Sequence, residues 1–119
     1  MEYRKKLEAE KASSTGQLLM QCARLWNEYG LMRMEKKTGI SVRIAHTQLF
    51  PHLTLEGVRP TYLATRVGIS KQAVGKLLKD MEEAGIVEQI PDPQDRRALL
   101  YRWSAQGREG LLLGLSLLK

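Results

Sequence analysis

The spacing of apolar residues along this chain changes after Gly85, and that change limits the folds open to it. Upstream, Val74, Leu77, Leu78 and Met81 recur at intervals of three and four, the period of a helix with one buried stripe. Downstream, Ile86, Val87 and Ile90 read as a short strand. Pro91-Asp92-Pro93-Gln94-Asp95 then supplies the residues that turns require, and residues 98–103 read as the returning strand. The helix has its own punctuation: Ser70 is placed to cap residues 71–84 and Gly85 to end them. A shorter helix precedes it, with Pro60 suited to the first position, Tyr62–Val67 as its body and Gly68 as its stop.

Helix, three-residue turn Gly68-Ile69-Ser70, helix and two-stranded hairpin, in that order over residues 60–103, form the organisation of a winged helix-turn-helix. The predicted fold class is mainly α, with a two-stranded wing and flanking dimerisation helices. The expected division is a charged lead over 1–16, N-terminal supporting or dimerising helices over 17–57, the winged helix-turn-helix over 58–103 and a leucine-rich helix over 104–119. Within 17–37, Leu18, Cys22, Leu25, Trp26, Tyr29 and Met32 make one helical stripe, and Lys36, Lys37 and Gly39 mark its end. A short helix is expected over 42–50, with Pro51 near its end. In the last helix, capped by Ser104, Leu111, Leu112, Leu113, Leu115, Leu117 and Leu118 occupy most of the circumference. A surface helix needs only one apolar stripe, so this one must be buried in the domain or against a partner chain.

The length of 119 residues fits one domain, and 43% hydrophobic residues are enough for a core. No apolar run approaches the roughly 18–20 residues of a membrane span, and the start is not followed by a signal-peptide stretch. One cysteine excludes an intrachain disulfide framework. The expectation is a soluble, cytoplasmic protein with no membrane partner. A net charge of +6 directs attention to anionic partners, nucleic acid first.

The order of the charges says more than their sum. Arg66, Lys71, Lys76 and Lys79 come without an acid among them; Asp80, Glu82, Glu83, Glu88, Asp92 and Asp95 follow without a cation; then come Arg96, Arg97, Arg102 and Arg108. On a wheel with Ser70 at zero, Val74, Leu77, Leu78 and Met81 fall between roughly 340° and 80°, while Gln72, Gly75, Lys76 and Lys79 fall between roughly 140° and 240°. Gln can bond adenine edges bidentately, Lys can reach phosphate or guanine, and glycine lets the backbone approach a surface. An ordinary solvated face has the same composition. The helix dipole favours acids in the first turn and cations in the last, and this helix does the reverse. A phosphate backbone at its N-terminus would account for that, since the cations and the helix end attract the same anion. The alternative is local compensation by Lys76–Asp80 and Lys79–Glu83 pairs. At the hairpin tip, an arginine from Asp95-Arg96-Arg97 could enter a minor groove, with a neighbouring carboxylate holding its guanidinium.

Leu63-Ala64, Gly68-Ile69-Ser70, Val74, Leu77, residues 81–87 (Met-Glu-Glu-Ala-Gly-Ile-Val), residues 92–98 (Asp-Pro-Gln-Asp-Arg-Arg-Ala) and Ser104-Ala105-Gln106-Gly107 resemble the MarR family of bacterial transcriptional regulators. The resemblance covers about residues 58–110, and the wing is its most specific part. It implies a homodimer on a pseudo-palindromic site in double-stranded DNA, with the recognition helix in the major groove and a wing arginine in the minor groove. Carried over by position, it implies that Ser70, Lys71, Gln72, Ala73, Lys76 and Lys79 contact DNA from the recognition helix. Arg97 would be the wing arginine, Asp95 its orienting partner, Arg96 a phosphate contact and Thr61 a backbone contact. The chain departs from the family at Trp103-Ser104, where Leu-Thr is common, and at Gly75, where a polar residue is usual. Its C-terminal helix is short, so dimerisation is expected to rest on the leucine-rich tail together with the 17–37 helix.

Other chemistry is weaker. Cys22 lies on an apolar stripe, where a lone cysteine is more often a small buried hydrophobe than a sensor. His46 and His52 are six apart, not a same-face metal spacing, and no metal site or cofactor is expected. Trp26, Tyr29, His46 and Phe50 are candidates for an effector pocket, although aromatics at helical spacing are usually core. No catalytic arrangement stands out. The reading is therefore a sequence-specific DNA-binding regulator, a homodimeric repressor and not an enzyme. The alternatives are a winged-helix protein-interaction or assembly module and a plasmid replication or partition DNA binder.

Overall fold

The computed structural model describes residues 2–117. Helix α1 spans Glu2–Ser13, α2 Thr15–Thr38, α3 Ile44–Thr47, α4 Pro60–Val67 and α5 Lys71–Glu83; strands β1 (Val87–Asp92) and β2 (Asp95–Trp103) follow, and α6 (Ala105–Leu117) closes the chain. Leu118 and the Leu117 side chain lie outside the described residues. Among the described residues no helix is long and apolar enough to cross a membrane.

The charged lead is helical but buries no residue. Ser14 alone separates it from α2, its side chain accepting the Gln17 N–H at 3.3 Å as the N-cap. Gly39, with φ 76°, ends α2 by donating to the Glu35 carbonyl at 2.8 Å. The helix expected over 42–50 is split: α3 is one turn, and Phe50–His52 forms a separate 3₁₀ turn around Pro51.

The core belongs to the winged helix. Leu49, Leu63, Val74, Leu78 and Met81 are wholly buried, joined by Ile86, Val87 and Trp103. Each such side chain contributes about 1.5–3 kcal/mol by leaving water. Pro60 opens α4 at its first position, where the missing N–H costs nothing. Gly68 closes it at φ 80°, a conformation glycine adopts without strain, and Ser70 Oγ then accepts the Ala73 N–H at 3.1 Å to start α5.

The strands pair antiparallel, with Val87 opposite Trp103 and Ile90 opposite Leu100. Val58 bridges the other edge of β2, exchanging two 2.9 Å bonds with Tyr101. Beyond the wing, Ser104 fastens α6 to the end of α5: its Oγ donates to the Gly85 carbonyl at 2.6 Å and accepts the Gly107 N–H at 2.9 Å.

The stripe on α2 does not join this core. In α2 only Gly30 is buried, while Leu18, Leu25, Trp26, Tyr29 and Met32 face outward and Leu25 is 61% exposed. Cys22 is exposed with them, not buried as its stripe predicts. Leu112 and Leu115 of α6 are likewise exposed, at 62% and 57%. One chain thus leaves open the apolar faces that its sequence marks for burial.

Candidate nucleic-acid interface

The face of α5 opposite the core carries Gln72, Gly75, Lys76 and Lys79, and the N-cap Ser70 with Lys71 and Ala73 of the first turn stands beside it; all seven are exposed. Thr61 is exposed in the first turn of α4. Neither Lys76–Asp80 nor Lys79–Glu83 forms an ion pair among the described residues. Asp80 turns instead toward α3, meeting His46 Nε2 at 3.3 Å and an Arg43 guanidinium nitrogen at 3.7 Å. Glu82 accepts from the Gln89 amide at 3.2 Å. Asp80 and Glu82 are therefore drawn away from the cations that precede them, and the exposed lysines present their charge to solvent.

The wing tip is shaped by an irregular register. Pro91 pairs with Leu99, but the next residue, Asp92, pairs with Asp95, so Arg96, Arg97 and Ala98 have no partner on β1. Pro91 has no N–H to give to a ladder and suits such a break. Both arginines are exposed, and neither meets a carboxylate among the described residues. Asp95 Oδ1 accepts the Arg97 backbone N–H at 3.0 Å, so the carboxylate fixes the arginine's main chain and leaves its guanidinium outside the contact. The strands below are pinned by Arg102 Nε on Glu88 at 2.9 Å, two residues directly opposite in register.

Two residues that sequence reasoning passed over hold the wing base. Arg59, ahead of α4, donates through Nε and Nη2 to Asp92 Oδ2 at 2.9 and 2.6 Å, and Asp92 Oδ1 accepts the Gln94 N–H at 2.9 Å. The Gln94 N–H, then the Arg59 guanidinium, hold the Asp92 carboxyl below the ordinary carboxylate range. The Asp92-Pro93 dipeptide, a turn-starting signal, was the available clue to Asp92; nothing local pointed to Arg59.

Behind this candidate interface lies a cleft of about 550 Å³ between α2, α6 and residues 40–51. Of the four aromatic or histidine candidates, Phe50 lines it, edge-on to Trp103 with ring centres 5.2 Å apart. Trp26 and Tyr29 are exposed on α2 and His46 is turned to Asp80; none of the three is in the lining. Among the described residues no group of His, Cys, Asp and Glu is placed to hold a metal ion.

Solved structures share this architecture. A MarR family transcription regulator aligns over 97% of this chain and 71% of its own, with TM-score 0.69 and 18% identity. The S. aureus MepR–DNA complex aligns over 83% of this chain and 81% of its own, at 0.61 and 15%. CouR from Rhodococcus jostii RHA1, solved with p-coumaroyl-CoA, aligns over 91% and 75%, at 0.65 and 23%. No curated protein sequence matches. The MarR family model matches residues 39–98, just over half of the chain and the whole stretch from the end of α2 to the wing. With its helix-turn-helix, hairpin wing and Asp-x-Arg tip, the chain belongs to the MarR family of transcription regulators.

Proposed function

We propose that the protein is a cytoplasmic, homodimeric repressor that binds double-stranded DNA sequence-specifically. The observation that carries this reading is the set of exposed cations, Lys71, Lys76, Lys79, Arg96 and Arg97, none of which has a carboxylate partner among the described residues, while Asp80, Glu82 and Asp95 are engaged elsewhere. In this reading α5 enters a major groove, with Gln72 and Lys76 at base edges and Ser70, Lys71, Ala73 and Lys79 along its walls. Thr61 and Arg96 meet phosphates, and Arg97, its backbone fixed by Asp95, reaches the minor groove. The exposed stripes of α2 and α6 support a second copy, and two-fold symmetry then requires half-sites about one helical turn apart. The cleft supports a small-molecule effector, as in the ligand-bound CouR structure.

The test is fluorescence anisotropy on duplexes selected from a random pool, repeated over a salt series. Arg97→Ala and Lys76→Ala should each weaken binding and lower the salt slope by about one. Unchanged affinity in both variants would place DNA elsewhere. A chain with no salt-dependent duplex binding at all would be a protein-interaction module.

A further inference from the structure

We infer that Gly75 is a specificity-determining position of α5: the notch it leaves between Gln72 and Lys79 receives the C5-methyl group of a thymine on the floor of the major groove. The inference rests on the DNA-binding reading above and deepens it.

The fold itself gives this glycine no reason to be there. Glycine weakens a helix interior relative to alanine, because it has more backbone freedom to lose. The glycines that bound α5 are explained by conformation, Gly68 having φ 80° and Gly85 φ 79°. Gly107 is explained by space, since a Cβ there would run into the Ile86 carbonyl. Neither cause applies to Gly75. Its φ is not positive, and a Cβ built on it would meet nothing within 4 Å. It is the fifth residue of a helix of 13, and it is exposed on the outward face. A local rule broken with no local gain points to a functional position, and close approach to a ligand is a use that glycine serves.

What the notch can hold follows from what lines it. The ladder of α5 takes both the N–H and the C=O of Gly75, so the notch presents Cα hydrogens and no free donor or acceptor. A phosphate, or a base edge that needs a hydrogen bond, would find no partner in it. The major-groove edges carry one apolar group, the thymine methyl. Lys71 and Gln72 stand one turn before the notch, Lys76 beside it and Lys79 one turn after, all exposed. The lysine charges draw the phosphates of the groove walls, and the missing side chain lets the helix settle nearer the floor. Gln72 is suited to adenine, and every adenine is paired with a thymine whose methyl lies at the same groove edge. An alanine at 75 would put its own methyl into the space that the thymine methyl fills.

The experiment is fluorescence anisotropy on the full chain with a duplex selected from a random pool. Each thymine in turn is replaced by deoxyuridine, in both half-sites together, which removes the methyl and keeps the base pair. At one thymine the wild-type loss should be about fourfold per half-site, the effect of one buried methyl. Gly75→Ala should bind the thymine duplex about tenfold or more weakly than the wild type does. It should bind the matching deoxyuridine duplex more tightly than the thymine one, reversing the wild-type order. Its melting temperature should rise by about 2–5 °C, which separates lost recognition from lost folding. A lower melting temperature would give the glycine a structural reason and overturn the inference. A Gly75→Ala protein that keeps the wild-type ratio between the two duplexes also overturns it, as does a duplex in which no thymine methyl matters; DNA binding itself stands in both cases. A wild-type chain that binds no duplex removes the DNA-binding reading, and the inference falls with it.

Discussion

The imidazole of His46 on α3 joins that helix to Asp80 on α5. Nδ1 accepts the Arg43 N–H at 2.9 Å, which leaves Nε2 as the protonated nitrogen facing Asp80 Oδ2 at 3.3 Å. The ring is buried, so both bonds are made away from water. This contact explains why an acid sits in the second half of a helix whose dipole would favour a cation there. His46→Ala removes both bonds and leaves a void, and should lower stability by about 2–4 kcal/mol in urea unfolding. Asp80→Asn keeps an oxygen for Nε2–H and should cost less than about 1.5 kcal/mol. Equal losses in the two variants would mean that the Asp80 charge carries the whole effect and that the ring's packing and its bond to Arg43 add nothing.

The wing base should be sensitive to acid through Asp92. Its carboxyl is held below the unfolded value of 3.8, first by the Gln94 N–H and then by Arg59. A depressed folded pKa contributes stability that is present above the unfolded pKa and is lost as pH falls through the folded one. Asp92→Asn keeps an oxygen for Gln94 and gives up the charge. The wild-type advantage over this variant should be constant at neutral pH and shrink below about pH 4. A difference that persists undiminished to about pH 2.5 would show that the ion pair with Arg59 is not its source.

How much of this was legible depends on how far the deciding contacts reach. The α4–α5 pair was read closely because its signals are local: Pro60, Gly68, Ser70 and Gly85 act within one turn of where they stand. The wing reads as a hairpin from its residues, but the unpaired stretch at Arg96, Arg97 and Ala98 depends on cross-strand register. His46 and Asp80 are 34 residues apart and Arg59 and Asp92 are 33, so no local pattern marked either pair. The sequence suggests a pocket for Trp26 and Tyr29 because a stripe says that a face is buried and not what buries it. The structure separates two apolar sides of α2: Leu31 and Met34 face the cleft, Tyr29 lies on the side away from it, and Trp26 is exposed on the flank between them.

The outward side of α2 gives a prediction about assembly. Leu25 stands in the middle of the Leu18, Tyr29 and Met32 stripe. If a second copy covers that stripe, Leu25→Glu places a carboxylate in an apolar interface, and dimerisation should weaken by about two orders of magnitude or more. Analytical ultracentrifugation should show a monomer, with a melting temperature that no longer depends on concentration. A variant that remains dimeric would move the interface off α2.

Two glycines three residues apart in α6 should respond in opposite directions to the same substitution. A Cβ on Gly107 would lie 1.9 Å from the Ile86 carbonyl oxygen and 2.7 Å from its carbon, both backbone atoms that cannot swing aside. Gly107→Ala must therefore lift α6 from the end of α5. The Ser104 bonds to Gly85 and Gly107 go with it, as does the Ser104 N–H bond to Ile86 at 3.1 Å. A loss of about 3 kcal/mol or more is expected. Gly110 has only the Met34 Cε at 3.5 Å and the Ile40 Cδ1 at 3.7 Å near the same position, ordinary contact distances. Gly110→Ala should gain up to about 1 kcal/mol, because alanine has less backbone freedom to lose on entering a helix. Thermal unfolding of the two single variants decides the matter. A Gly107→Ala protein as stable as the parent would mean that α6 is not seated on Ile86 through this glycine, and the docking of the leucine-rich helix would have to be redrawn.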